Sequence, residues 1–145
     1  MDATEPAASA LLWEGYFHRD AVLFVIDAGM HMHEEVEQET AFTMALRAAL
    51  RFMHIKLVSS PKDYVGIMLW NTDASQMITP SKNPYYPHTI EYARLKQVDV
   101  PTTFELQQLL TALQADPPAA RTRFPPASST MNVDHVLSLI HISEP

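Results

Sequence analysis

A chain of 145 residues that is 47% hydrophobic and 19% charged can bury one core but hardly two, and it is too apolar to be disordered throughout. Ten Lys+Arg against seventeen Asp+Glu give a formal charge of -7 and argue against a non-specific phosphate binder, while the lack of cysteine excludes disulfides, thiolate metal centres and a cysteine nucleophile. The strongest apolar run, 21–26, is far shorter than the roughly 20 residues of a membrane span, and residues 7–13 lack the basic start of a signal peptide, so a soluble intracellular chain with no membrane partner is expected.

Residues 1–14 combine Asp2, Glu5 and Pro6 with small side chains and read as a loose leader to a domain over 15–136. Between Asp20 and Asp27 a continuous run of branched and aromatic residues predicts a strand buried on both faces, inside a parallel sheet. An acidic loop follows from Glu34 to Glu39. Thr40 to Leu57 then sets Phe42, Ala45, Leu46, Ala49 and Met53 on one helical face, with Arg47, Arg51 and Lys56 available to solvent. Ser59-Ser60-Pro61 stops that helix, and Tyr64 to Trp70 predicts a second fully buried strand. Strand, helix and strand in this order imply a right-handed crossover between parallel strands, hence an α/β fold.

Asn71 to Pro87 reads as a long proline-bearing loop, and Thr89 to Leu95 as an edge strand. After Pro101 the pair Thr102 and Glu105 has capping-box spacing, and Leu106, Leu109, Leu110 and Leu113 trace a second helix. Residues 115–130, with Pro117, Pro118, Pro125 and Pro126, predict a flexible connection before a further apolar stripe at Val133, Val136, Leu137 and Ile140. Two buried strands and an edge strand form a sheet that expects more neighbours, so the α/β unit reads as incomplete at its carboxyl end. Leu137 to Pro145 resembles the translation of a transposase adapter used in sequencing libraries, and residues 137–145 are expected to be non-native.

Asp27-Ala28-Gly29-Met30-His31 lies at the carboxyl end of the first strand, where open α/β sheets place ligands. The turn resembles the metal-dependent adhesion site of von Willebrand factor A domains, in which Asp-x-Ser-x-Ser holds a divalent cation. Gly29 and His31 stand where that pattern has serines, and hard cations want oxygen ligands, so Asp27, Gly29 and His31 are expected to form a degenerate site without metal. A cation-dependent adhesion or scaffold domain is the rival reading. His31, His33, Glu34 and Glu35 have zinc-ligand chemistry but no His-Glu-x-x-His spacing, and this loop is read as solvated surface; His54 is read as a packed or surface histidine. The three glycines, Gly15, Gly29 and Gly66, cannot build a phosphate loop, and no Gly-x-Ser-x-Gly occurs, so neither catalytic residues nor a cofactor are expected. Met44, Met53 and Met68 read as core filling.

Arg19-Asp20 before the first strand, Phe42-Thr43-Met44-Ala45, Ser59-Ser60-Pro61-Lys62-Asp63, Trp70-Asn71-Thr72 and Tyr86-Pro87-His88-Thr89-Ile90-Glu91-Tyr92 occur in an order that resembles the amino-terminal domain of the seventy-kilodalton Ku subunit, of fungal type. The resemblance covers Gly15 to Leu113 and implies a Rossmann-like, von Willebrand factor A-type parallel sheet flanked by helices, with a degraded metal site. It further implies a nuclear protein that pairs with the larger Ku subunit, encircles DNA ends through a central β-barrel outside this chain, and works with end-joining and telomere proteins. The domain would then serve protein contacts, with DNA ends held only by the full-length complex. Family members are often named subunits of an ATP-dependent DNA helicase, a chemistry for which this chain has no phosphate loop. A lyase activity attributed to the family uses a lysine before the first strand, and Trp13 to His18 contains none.

Overall fold

A computed structural model describes residues 19–73 and 88–127 of the chain. In chain order the elements are β1 (Ala21–Asp27), a 3₁₀ turn (Met30–His33), the short strands β2 (Glu35–Val36) and β3 (Glu39–Thr40), α1 (Ala41–Ser59), β4 (Tyr64–Trp70), β5 (Thr89–Gln97), α2 (Val100–Ala115) and α3 (Ala119–Arg123). The leader 1–14, the stretch 74–87 of the long loop and the tail 137–145 lie outside the described residues.

Branched and aromatic side chains favour extended backbone in β1 and β4, which pair in parallel from Ala21 opposite Tyr64 to Asp27 opposite Trp70. β5 joins the other side of β4 antiparallel, giving a mixed sheet in the order β1-β4-β5. Among the described residues Thr89–Gln97 lies at one edge of the sheet, and the α/β architecture agrees with the sequence pattern. The interior position expected for the first strand does not. Among the described residues β1 has one strand neighbour and only Ile26 is fully buried in it, whereas β4, flanked on both sides, buries Val65 through Leu69 without a break.

One face of the sheet carries the main core. Val65, Ile67 and Leu69 of β4 pack with Phe42, Leu46 and Met53 of α1 and with Leu106, Leu110 and Leu113 of α2, each a side chain withdrawn from water. Met68 projects to the opposite face with Leu23 and Trp70. Met53 and Met68 therefore fill core space as expected, but Met44 does not: it is 41% exposed on the outer side of α1.

Local chemistry sets the helix ends. Thr40 caps α1 by accepting from the Thr43 N–H at 3.2 Å. The expected capping box at Thr102 and Glu105 is corrected: Asp99 caps α2, its carboxylate accepting from Thr102 N–H at 2.7 Å, so the helix begins at Val100 with Pro101 in its first turn. At the amino-terminal edge of the sheet, Asp63 accepts from Asp20 N–H at 3.1 Å and from Lys56 Nζ at 2.7 Å, tying the ends of β1 and α1 to the start of β4.

Two segments expected to be irregular are ordered. Glu34 to Glu39 contains the β2/β3 hairpin, whose turn residues Glu37 and Gln38 have φ of 54° and 67°; this left-handed pair suits a two-residue turn, although neither residue is the usual Gly or Asn. Within 115–130, α3 forms and Phe124 is buried, and residues 125–127 lie antiparallel to 71–73. Pro125 and Pro126 lack N–H groups, yet the Pro125 carbonyl accepts from Asp73 N–H at 2.7 Å and from the Thr72 hydroxyl at 2.8 Å, while Ala127 N–H donates to Asn71 O at 2.7 Å.

Gly66 lies where the β4/β5 register shifts, and a Cβ there would stand 2.9 Å from Leu95 Cα and 3.1 Å from the Ala93 carbonyl oxygen. Gly66→Ala must move β5 backbone and is expected to lower stability by about 1–3 kcal/mol, read as a lower urea midpoint at unchanged slope. An unchanged midpoint would show that β5 shifts freely.

Candidate functional site

The parallel register brings the carboxyl ends of β1 and β4 side by side, locked by Ala28 N–H donating to Trp70 O at 2.8 Å. On this crest Asp27 is held by three groups. Its Oδ1 accepts from Gly29 N–H at 2.8 Å and from Asn71 Nδ2 at 3.1 Å, and its Oδ2 lies 3.1 Å from His31 Nε2. Asn71 adopts φ of 60°, a left-handed conformation that asparagine tolerates better than most residues, and so turns its amide back across the strand ends. Gly29 matters through close approach: a Cβ there would lie 3.0 Å from Asp27 Oδ1 and 3.3 Å from His31 Cε1.

The sequence therefore identified three of the four residues that meet here, Asp27, Gly29 and His31, and missed Asn71. Its signal was positional: Asn71 is the first polar residue after a fully buried strand, at the same end of the sheet as Asp27. Chemically, the cluster is an anchored carboxylate whose oxygens already face the chain's own donors, with an exposed imidazole above it.

His33 is a correction to the solvated-loop reading. It is buried, its Nε2 lies 3.2 Å from Ala28 O, and its ring centroid is 5.2 Å from that of Phe42. Phe42 in turn meets Phe124 at 5.2 Å, and Phe124 meets Tyr92 at 6.1 Å, so an aromatic chain runs from the 3₁₀ turn through α1 and the residue after α3 to β5. Burial pushes the Tyr92 hydroxyl above its ordinary range, with Glu105 acting in the same sense. His31 points to Asp27, His33 points inward, and Glu34 and Glu35 are exposed on the hairpin side. Among the described residues no three His, Asp or Glu side chains converge as metal ligands. His54 is exposed on α1.

Comparison with known proteins bears on the whole of this α/β unit. The model of the Ku70/Ku80 N-terminal alpha/beta domain matches residues 21–141. The chain belongs to this Ku family. The match extends past Leu137, into the stretch that resembles adapter sequence. A tick protein, "ATP-dependent DNA helicase 2 subunit 1" of Rhipicephalus appendiculatus, is 44% identical over 72 residues, covering 50% of this chain and 12% of its own. "ATP-dependent DNA helicase II subunit 1" of Aspergillus sojae is 30% identical over 108 residues, covering 66% of this chain and 16% of its own. "ATP-dependent DNA helicase ku70" of Dictyostelium discoideum is 31% identical over 71 residues, 48% of this chain and 8% of its own. The chain thus spans less than a fifth of each of these three Ku-type relatives.

Burial is the main reason the His33 imidazole sits below its ordinary 6.5, and Arg121 acts in the same direction; the backbone of Ala28 and Phe124 and the Asp27 carboxylate oppose it. The unfolded chain therefore takes up a proton on this side chain at a higher pH than the folded one. His33 lets stability persist above that ordinary value and erodes it as pH falls below. Between about pH 7.5 and pH 5.5 the urea midpoint of the parent should fall more than that of His33→Phe. Equal falls would remove His33 as the source of acid sensitivity.

Proposed function

We propose that this chain is the amino-terminal domain of a Ku small subunit that acts in the nucleus in double-strand break repair by non-homologous end joining and in telomere maintenance, paired with the larger Ku subunit. The family match over residues 21–141 carries this reading. In it the domain contributes protein contacts, and DNA ends are gripped by parts of the full-length complex outside this chain. The formal charge of -7 supports that division, because a surface of this sign repels phosphates and leaves end binding to basic elements elsewhere. The helicase named in the relatives has no counterpart in the glycines available here, so the domain is read as non-catalytic.

The same reading has Asp27, Gly29 and His31 holding no divalent cation. Its support is the donor set: one Asp27 oxygen already accepts from Gly29 and Asn71, and an imidazole lies on the other where a hard cation would want hydroxyl oxygens.

The test compares the purified chain with the full-length subunit co-expressed with its larger partner, each titrated against linear and circular DNA. The complex is expected to bind ends in a salt-sensitive, end-dependent manner while the chain shows none, and titration calorimetry of the chain with magnesium or manganese should give no site-specific heat. Tight end-dependent binding by the chain alone would overturn the division of labour, and saturable heat abolished by Asp27→Ala would restore the cation-dependent reading.

A further inference from the structure

The inner face of α1 is fully used by the core through Phe42, Leu46 and Met53. On the opposite side lie Met44, Ala48, Arg51, Ile55 and Val58, all exposed and separated alternately by four and three positions. That spacing keeps side chains on a single seam of a helix, as in coiled-coil contacts. The outer side of a surface helix is normally polar, yet here Ile55 is 62% and Val58 89% exposed. Over Met44 to Val58 the seam runs about 20 Å at 1.5 Å per residue, four turns of contact for another helix.

Charge decides what kind of helix. The chain as a whole carries -7, but α1 contains no Asp or Glu and holds Arg47, Arg51, His54 and Lys56. Lys56 is drawn aside to Asp63, and Arg47 pairs with Glu39. Arg51 remains exposed in the middle of the apolar seam, with His54 exposed one turn along its flank. We propose that the outward face of α1 is a docking seam for an acidic amphipathic helix of a partner protein, whose apolar stripe covers Met44, Ile55 and Val58 and whose carboxylates meet Arg51 and His54. A second copy of this chain fits less well, because pairing the seam with itself antiparallel sets Arg51 beside Arg51.

The probe is a fluorescently labelled helix of about 20 residues with leucine at the seam positions and glutamate beside them, followed by anisotropy. The parent chain should bind it saturably. Ile55→Glu or Val58→Glu should abolish binding, and Arg51→Glu should weaken it about tenfold while creating affinity for the same helix with lysine in place of glutamate. Val100→Glu and Phe104→Glu, at exposed apolar positions of α2, should leave binding unchanged. If the isolated chain lacks a cooperative melt, the same titrations are run on the full-length protein that carries it. The proposal fails if the folded protein ignores the acidic helix, binds the lysine helix as well, or is indifferent to Ile55→Glu. It also fails if the seam residues instead mediate self-association in sedimentation or binding to anionic vesicles.

Discussion

The parallel register of β1 on β4 is the constraint from which the rest of the molecule follows. It cannot be closed by a tight turn, so α1 must carry the chain back along the sheet, and the helix that does so supplies much of the core. The same register sorts the polar groups by end. Asp20, Lys56 and Asp63 gather where the strands begin, and Asp27 and Asn71 where they finish. The links that close each group, Asp20 to Asp63 and Asp27 to Asn71, span more than forty residues and are made by the pairing of β1 with β4, with the end of α1 delivering Lys56 to the first.

What the amino-acid pattern reveals depends on how local the cause is. The two parallel strands, the long helix and the leucine face of α2 are legible because hydrophobic spacing reports local structure directly, but the burial of β1 is overread, since a continuous apolar run does not say how many strands will flank it. Spacing points to Thr102 as the cap of α2, whereas Asp99, three residues earlier, performs it; both residues have capping chemistry, and only the backbone path distinguishes them. Phe124 and its proline-flanked segment look flexible by composition, which says nothing about a partner fifty residues away, here Asn71 to Asp73. At the crest, Asp27, Gly29 and His31 were legible as one turn, while Asn71 and the inward rotation of His33 depend on tertiary neighbours.

α1 connects the core to the surface with two faces of different chemistry. Its inner residues are fixed by packing against β4, which leaves its outer residues no freedom to rotate inward; Met44, counted as core from composition, is held outward by this constraint. On its outer side the same helix leaves Met44, Ile55, Val58 and Arg51 exposed, so apolar area and a cation share one surface of a chain whose formal charge is -7.

The contacts at the crest also set how readily this turn could be rebuilt to hold a cation. Placing a serine at position 29 alone would set its Cβ 3.0 Å from Asp27 Oδ1 and 3.3 Å from His31 Cε1, so that one of these side chains must give before any ligand is gained. Placing a serine at position 31 alone would remove the imidazole but add only one hydroxyl beside the carboxylate. Each single substitution disturbs an existing contact without completing a coordination shell, so building a cation site on this turn takes coordinated changes at both positions and at the groups that already hold Asp27.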